Sequence, residues 1–423
     1  MKIIATGDWH IGHAFHGYDR TGEHLHFFAW LTRMLAEHRP DALLVAGDIY
    51  DNANPSAAAQ STFYEFLVEA HKTSPDTHFI ITAGNHDSAA RLEAPAPLMA
   101  SHNIEVRGVL QRLPARDGQR GEIDLDSLLI PITSADGMQA VIAAVPFIRP
   151  DVVTGTYARG VRKLLEDITR HARRKYPDTT VVMMAHMYAS GAEIAAQDHS
   201  ERVYVGGQEE VSLSGWESAP DYFTCGHIHK RQRISGLPNA RYTGSVLPMS
   251  FAEINYHHSV DLIEILAAHE PVVTHLEYTP QHRLKILSNA GLTRAKFKKL
   301  ICTELPARGA DGNLSSEFIY VALELNVDEI TPDERRELET LVTERDAVLC
   351  AVRAVKNVDS LTSFSDERPA VTLDEIINRP AIDTLREAFI SRHNEEPDDD
   401  ILAMLDEIVK SVELNHLKEN ESD

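Results

Sequence analysis

Seven residues with the chemistry of metal ligands occur directly after short apolar stretches of the sequence. Aspartate and asparagine offer hard oxygen ligands and histidine offers an imidazole nitrogen, a mixture that suits Mn²⁺, iron or Zn²⁺ better than Mg²⁺ or Ca²⁺. Glycine precedes the polar residues after four of the five stretches, where its missing Cβ lets the backbone turn sharply. We therefore expect one metal centre built from Asp8, His10, Asp48, Asn85, His186, His227 and His229.

A ligand set of this size can hold two divalent cations that share one bridging carboxylate. Two cations about 3.5–4 Å apart can neutralise the charge of a phosphodiester, generate hydroxide and stabilise the leaving oxygen. Hydrolysis of a phosphate ester is therefore the predicted chemistry. None of the seven residues is a cysteine, and without thiolate ligands we expect the metal to be Mn²⁺.

The apolar stretches are predicted to be strands that end at the metal centre. Continuous apolar runs such as residues 42–46 are typical of strands buried on both faces, as in α/β folds. Open α/β sheets place their ligands at the carboxyl ends of such strands. Amphipathic helices are predicted near 24–38 and 59–71. The predicted strands are 2–6, 42–46, 78–82, 141–145, 181–185, 222–225, 259–266 and 272–278.

The pattern changes after Pro280, which predicts further domains. Residues 281–358 alternate in the order β-α-β-α-β, which predicts a compact second domain, and residues 1–280 form the larger α/β domain. A Ser/Thr/Asp-rich linker at 359–371 leads to a helical tail at 372–423, with amphipathic helices at 372–392 and 398–418. Their apolar stripes are too large to leave in water, so the tail either folds back on the second domain or docks a partner.

The composition is that of a globular chain with several domains. It has 423 residues, 43% hydrophobic residues and 3 cysteines, which excludes a disordered chain, a collagen-like repeat and a disulfide scaffold. The cysteines form no CxxC pair, so a zinc ribbon is excluded as well. The N-terminus has no signal-peptide pattern and no apolar run reaches about 18 residues, so we expect a soluble cytoplasmic protein without a membrane segment.

The net charge of −23 argues against a protein that coats nucleic acid through bulk positive charge. Residues 1–280 hold 23 basic and 34 acidic residues, a net charge of −11, and residues 281–358 hold 12 of each. Residues 359–423 hold 6 basic and 18 acidic residues, a net charge of −12. Any role on DNA must therefore be local, metal-assisted or shared with a partner.

The order of the polar motifs resembles that of the calcineurin-like metallophosphoesterases. The motifs Asp-x-His, Gly-Asp-x-x-Asp, Gly-Asn-His-Asp, His and Gly-His-x-His span residues 8–229, and the resemblance implies a β-sandwich flanked by helices. GDWHIG at 7–12, AGDIYD at 46–51, AGNHDS at 83–88, CGHIH at 225–229 and YTGSVLPMSF at 242–251 are similar to the SbcD branch, the nuclease subunits of bacterial SbcCD complexes. The resemblance implies that residues 281–358 are a small α+β capping domain that contacts DNA. This domain and the helical tail fit that branch by architecture alone.

The resemblance implies a role for each motif residue. His86 is expected to contact the phosphate and assist the leaving group. Asp87 either orients the ring of His86 or caps the turn, and Asp51 could support the centre without binding metal. The implied ligands of one ion are Asp8, His10, Asp48 and His229, and those of the other are Asp48, Asn85, His186 and His227, with Asp48 as the bridge.

The resemblance also implies a function in DNA repair, recombination and replication. It implies a 3′-to-5′ exonuclease on duplex ends and an endonuclease on single strands and hairpins. The implied partners are an SbcC-like ATPase with a coiled coil and a second copy of the chain, a homodimer within a heterotetramer. Two alternatives stay open: a dimetal phosphoesterase acting on small phosphodiesters or phosphoproteins, and a non-catalytic scaffold, which would require a broken ligand set.

Overall fold

The structure is a computed structural model, and it describes residues 1–114, 121–193, 210–266, 270–326 and 330–355. The chain divides into two compact units, residues 1–356 and 357–423. The predicted linker at 359–371 and the predicted helices at 372–392 and 398–418 lie outside the described residues. None of the described helices is long and apolar enough to cross a membrane.

The described strands follow the apolar stretches of the sequence, with ends that differ from the predicted ones by two residues at most where a strand was predicted. The strands at 14–15, 18–19, 104–107, 129–133, 232–233 and 240–242 were not predicted. In chain order the strands are β1 (Lys2–Thr6), β2 (Ala14–Phe15), β3 (Tyr18–Asp19), β4 (Ala42–Ala46), β5 (His78–Thr82), β6 (Ile104–Arg107), β7 (Leu129–Thr133), β8 (Gln139–Ala144), β9 (Thr180–His186), β10 (Tyr222–Gly226), β11 (Gln232–Arg233), β12 (Ala240–Tyr242), β13 (Ser259–Glu264), β14 (Val272–Glu277), β15 (Leu284–Ser288), β16 (Ile319–Asn326) and β17 (Ala347–Val355).

Two of the described helices begin after a residue whose side chain accepts a hydrogen bond from a free backbone amide of the first turn. The second helix begins after Ser56, whose hydroxyl accepts from the Ala59 amide, and the last begins after Thr331, which forms a capping box with Glu334. The α-helices are α1 (Thr21–His38), α2 (Ala57–Thr73), α3 (Ala89–Glu93), α4 (Ala96–Met99), α5 (Tyr157–Lys175), α6 (Arg294–Glu304) and α7 (Pro332–Thr343).

Two six-stranded sheets pack face to face as a sandwich. One has the strand order β14-β13-β1-β4-β5-β6 and the other β11-β12-β10-β9-β8-β7. Apolar side chains of both sheets meet between them, among them Ile3, Leu44 and Ile80 from the first sheet and Ile142 and Met184 from the second. This two-sheet arrangement is the β-sandwich flanked by helices that the motif resemblance implies.

Helices cover the outer faces of the sandwich. Phe27 of α1 and Phe63 of α2 belong to the same buried cluster as Val45 of β4, and Leu165 of α5 to the same cluster as Met183 of β9. The strands that precede the predicted ligands run parallel within each sheet: β1 beside β4 and β4 beside β5, and β9 beside β10. Parallel strands present their carboxyl ends at a common edge, where the ligand loops begin.

The residues 284–355, which we call the C-terminal module, follow the predicted β-α-β-α-β order. Strands β15, β16 and β17 form a three-stranded parallel sheet. Phe297 and Ile301 of α6 and Val342 of α7 share one buried cluster with the sheet residue Val321. Tyr320 of β16 belongs to a second cluster that includes Phe15 and Phe251. The module is thus packed on both faces, and the domain boundary at 280 stays a prediction.

Candidate metal centre

The predicted ligands lie close together, in overlapping groups whose ligand atoms are within 4.8 Å of one another. The five strand ends therefore converge on one centre, as the sequence indicates. Among the described residues the groups are Asp8, His10 and His229; His10, Asp48 and His86; and Asp48, His186 and His227.

The first group brings two imidazole nitrogens close together. His10 Nε2 lies 3.1 Å from His229 Nε2, which matches two nitrogens about 2.1 Å from a shared ion. The neighbouring Asp8 is fully buried, and no described residue donates a hydrogen bond to its Oδ2. A buried carboxylate oxygen without a donor is costly unless a cation neutralises it, so these residues fit a divalent metal ion.

The group of Asp48, His186 and His227, which we call the second ligand group, is arranged around the ring of His186. Its Nε2 lies 2.8 Å from Asn85 Oδ1 and 3.3 Å from Asp48 Oδ2. His227 Nδ1 lies 3.0 Å from the same Asn85 oxygen. Asp48 Oδ2 is also 3.7 Å from His10 Nε2, so this one carboxylate stands between the two groups. This position fits the bridging role that the resemblance implies for Asp48.

The backbone at the strand ends explains the glycines of the motifs. Gly47 has a φ of +85°, and a Cβ there would lie 2.3 Å from His186 Nδ1. A Cβ on Gly226 would lie 2.0 Å from the Ala46 carbonyl oxygen. Because real Cβ atoms never approach this closely, only glycine lets these loops pass each other. Positive φ values extend to four of the predicted ligands themselves: Asp8, His10, Asp48 and His227.

A buried aromatic side chain anchors the first ligand loop. Trp9, between Asp8 and His10, is fully buried, and its indole Nε1 donates to Thr6 Oγ1 over 3.0 Å. Its ring packs edge-on against Phe28 at a centroid distance of 5.0 Å. Trp9 therefore fixes the loop by packing and does not offer a face on which a base could stack.

Burial and mutual charge set the protonation of the centre. Burial raises the pKa of Asp8 to about 6 and lowers the pKa of His227 to about 3. Burial also lowers the pKa of His10 well below its usual value. Burial alone would lower the pKa of His186, but the carboxylates of Asp48 and Asp8 outweigh it and raise the pKa to about 9. The neutral imidazoles of His10 and His227 are the form that binds metal, whereas His186 must release a proton.

His86 lies beside the predicted ligands, and a backbone carbonyl group holds its ring in place. Its Nδ1 lies 2.7 Å from the carbonyl oxygen of Asp51, which only accepts, so Nδ1 carries a proton. Its amide donates to Asp48 Oδ1 over 2.9 Å, and its ring meets that of His10 edge-on at 4.9 Å. The contact of Nδ1 with the Asp51 carbonyl fixes the orientation of the ring, and with it the direction in which the other ring nitrogen, Nε2, points.

The interpretation of Asp87 as the residue that orients His86 is wrong. The Asp87 carboxylate accepts from three backbone amides, those of Ile49, Tyr50 and Gly84, at 2.8–3.1 Å. It therefore connects the loop after β5 to the loop after β4. This agrees with the turn-cap alternative, except that the capped amides belong to two loops. The carbonyl of Asp51 orients the ring of His86 instead.

Sequence reasoning missed Glu253, which contacts a predicted ligand. This residue is completely buried, and its Oε1 lies 2.8 Å from Nδ1 of His229. It stands two residues after the motif at 242–251, in a short 3₁₀ turn, Phe251–Glu253. A carboxylate in a segment rich in apolar residues is the only signal that could have pointed to it.

Comparisons with known proteins agree with the fold. The calcineurin-like phosphoesterase family model matches residues 1–231. The SbcD subunit of the nuclease SbcCD from Rhodobacter capsulatus is 32% identical over 358 residues, which cover 81% of this chain and 85% of that protein. Its namesake in Escherichia coli K12 is 27% identical over 402 residues, covering 90% of this chain and 92% of that protein.

Solved structures are similar to this chain only at low sequence identity and low TM-score. A dimetal phosphatase from Danio rerio is 14% identical, with a TM-score of 0.35 over 66% of this chain and 97% of that chain. The nuclease MPE of Pseudomonas putida is 14% identical, with a TM-score of 0.21 over 64% of this chain and 87% of that chain. Since the family model covers more than half of the sequence, including every predicted ligand, the chain belongs to the calcineurin-like phosphoesterase family.

Proposed function

We propose that this chain is the metal-dependent nuclease subunit of an SbcCD-type complex, a hydrolase that cleaves DNA phosphodiesters. The observation that carries the proposal is the position of Asp48 Oδ2, 3.7 Å from His10 Nε2 and 3.3 Å from His186 Nε2, between two groups of buried ligands. The relatives named as SbcD subunits of SbcCD nucleases, which align with most of the chain, supply the substrate class.

Two divalent ions, which we assign as Mn²⁺, would supply charge neutralisation and an activated water at the scissile phosphate. The donor set supports this metal, because it combines imidazoles with oxygen ligands and has no thiolate. One ion would be held by Asp8, His10, Asp48 and His229, and the other by Asp48, Asn85, His186 and His227.

The remaining step belongs to His86. With Nδ1 donating to the Asp51 carbonyl, a protonated His86 ring presents its second proton at Nε2. We assign this proton to the 3′-oxygen that leaves when the phosphodiester bond breaks, a general-acid role. Asp87 takes no part in the transfer and holds the loop that carries His86.

Three further assignments rest on the resemblance and on the charge distribution. The chain would degrade duplex ends in the 3′-to-5′ sense and cut single strands and hairpins, as a homodimer in a cytoplasmic heterotetramer. The ATPase partner would dock at residues 372–423 through its coiled coil. The segment 359–423 carries 18 acidic and 6 basic residues, so it repels DNA and suits a protein contact.

A nuclease assay tests the proposal directly. Linear duplex, hairpin and single-stranded DNA are compared with bis-p-nitrophenyl phosphate, with Mn²⁺, Mg²⁺ or a chelator, and with or without the ATPase partner. We expect Mn²⁺-dependent DNA cleavage, with duplex ends degraded in the presence of the partner. Efficient cleavage of the small ester together with inert DNA would instead support the small-substrate alternative, and no cleavage of either would support the scaffold alternative.

Deleting residues 372–423 tests the docking assignment. We expect the truncated chain to lose co-purification with the ATPase while it keeps metal-dependent cleavage of single strands. Co-purification that survives the deletion would show that the partner binds elsewhere.

A further inference from the structure

Glu253 is a carboxylate in an environment that penalises charge. Its side chain is completely buried in the turn Phe251–Glu253, where an uncompensated charge would be expensive. Two donors face its two oxygens: the ring Nδ1 of His229 at 2.8 Å from Oε1, and the backbone amide of Met249 at 2.8 Å from Oε2. The carboxylate is therefore fixed at both ends, and one end is a predicted metal ligand.

The contact determines which nitrogen of His229 can bind a metal ion. A carboxylate only accepts, so Nδ1 of His229 carries the proton and Nε2 carries the lone pair. That Nε2 lies 3.1 Å from His10 Nε2, in the first ligand group. A carboxylate behind a ligand imidazole also raises its basicity as a metal ligand.

The segment that carries Glu253 is itself held from several sides. The guanidinium of Arg20 donates to the Pro248 carbonyl over 2.6 Å. The ring of Phe251 packs against Phe15 at a centroid distance of 5.4 Å, and the guanidinium of Arg353, in the C-terminal module, lies 5.6 Å from its centroid. The packing of segment 248–253 therefore fixes the position of the Glu253 carboxylate. Its hydrogen bond in turn holds the His229 ring in one orientation.

The second ligand group is supported differently. The Nδ1 of His186 lies 2.9 Å from a neutral backbone carbonyl, that of Ala46, and 3.9 Å from Oδ1 of Asp8, which is itself a predicted ligand. His229 faces a full negative charge from a segment 24 residues away. Removing the charge of Glu253 should therefore weaken one of the two metal sites and leave the other.

We propose that Glu253 is a positioning residue for the metal centre, which holds His229 in the orientation and tautomer that bind the first metal ion. The inference rests on the metal centre of the proposed function. It adds a residue outside the family motifs, and through the segment 248–253 it connects that centre with the packing of the C-terminal module.

The test is Mn²⁺ binding by the full-length chain and by Glu253→Gln. Glutamine keeps the size of the side chain but cannot accept at both ends, since one of its terminal atoms is an amide nitrogen. We expect two ions per wild-type chain and, in the variant, one site with affinity about 10–100-fold weaker and one site unchanged. Titration calorimetry gives the affinities, and the visible absorption of the Co²⁺-substituted protein reports the changed ligand field.

The fold itself provides a matched control. His275 Nδ1 and Asp261 Oδ1 form a second pair of the same kind, 2.7 Å apart on the paired strands β14 and β13, with Asp261 fully buried. Asp261→Asn therefore removes an equivalent buried charge, and we expect both metal affinities to stay at the wild-type values. A similar loss of metal in both variants would mean a general effect of a lost buried pair and would overturn the proposal.

Further outcomes separate this inference from the proposed function. If the wild-type chain binds fewer than two ions, both are overturned. If it binds two and Glu253→Gln binds them equally well, only the positioning role is wrong. Should Glu253→Gln fail to fold without metal, Glu253→Asp keeps the charge but draws it one methylene away from His229, and the same loss at one site is expected. Unchanged affinities in that variant overturn the role.

Discussion

The strand-end loops of the sandwich and the C-terminal module differ in where their charged groups lie and in their backbone conformations. In the loops, charged and polar groups such as Asp8, Asp48 and His186 are almost fully buried, and four predicted ligands have positive φ. In the described part of the module, no residue other than glycine has a positive φ. Its ion pairs lie at the surface, as in the pairing of Arg294 with Glu334.

The difference shows that the two regions meet different requirements, those of chemistry in the loops and those of stability in the module. Buried charges and left-handed backbone in residues with a Cβ destabilise a fold, and they persist where surrounding structure leaves no alternative. The loops contain both buried charges and left-handed backbone, because their predicted ligands must point to one centre. The module shows the ordinary pattern, with an apolar core and capped helices, so substitutions in the two regions should have separable effects.

The largest effect should follow from Asp48→Asn in the loops. This residue stands between the two ligand groups, so we expect loss of metal and a fall in DNA cleavage of about 10³-fold or more. Metal content and single-turnover cleavage are the measurements, with Asp333→Asn at the exposed start of α7 as a control that changes neither. Wild-type cleavage by Asp48→Asn would contradict the assignment of the bridge.

His86→Ala should separate catalysis from metal binding inside the same region. Loss of a general acid lowers the rate by about 10²–10⁴-fold, and we expect two ions to remain bound. The exposed His102 provides the control substitution, His102→Ala, with unchanged cleavage. If His86→Ala loses metal along with activity, the residue is a ligand, as its grouping with His10 and Asp48 would allow.

Ile301→Ala tests the other side of the comparison. Ile301 is completely buried in the core of the module, and an alanine there should lower the free energy of unfolding by about 2–5 kcal/mol. Cleavage per folded molecule should stay unchanged, which denaturant unfolding and an assay at low temperature would show together. A loss of cleavage in fully folded protein would mean that the module's core takes part in shaping the site.

The smallest effect should come from the cap of α7. The Thr331 hydroxyl accepts from the Glu334 amide, and Thr331→Ala should cost about 0.5–2 kcal/mol of unfolding free energy without a change in metal content. Thr343→Ala, at the far end of the helix, is the comparison variant and should change stability less. Equal losses in the two variants would argue against the capping box as the stabilising feature.

The metal centre could be predicted from the sequence because each motif that indicates it consists of neighbouring residues. A strand of apolar residues, a glycine and a polar residue occur together along the chain, so the motif ending in Asp48 or His227 can be recognised without coordinates. The order of the elements in the module followed from hydrophobic periodicity in the same way. The edge strand β7 (Leu129–Thr133) was missed; it contains Pro131, and a proline inside an apolar run argues against a strand unless that strand lies at a sheet edge.

Partners that are distant in sequence could not be predicted. Asp87 adjoins His86, yet its carboxylate binds the amides of Ile49 and Tyr50, 38 and 37 residues away. Local adjacency suggested the wrong partner for Asp87, because a hydrogen bond depends on where two loops meet in space. For the same reason the contact of Glu253 with His229 has no motif of its own.

The sequence by itself determined the kind of chemistry and the strands at whose ends the candidate ligands lie, since residue type and period are properties of neighbouring positions. The ligand assignments stay a prediction. The tertiary structure decided which atoms face each other: Asp48 between the two groups, the Asp51 carbonyl behind His86 and the Glu253 carboxylate behind His229. The physical reason is that a hydrogen bond or a metal ligand must be placed to within a few tenths of an ångström, and only the packing of whole sheets and loops sets positions so finely.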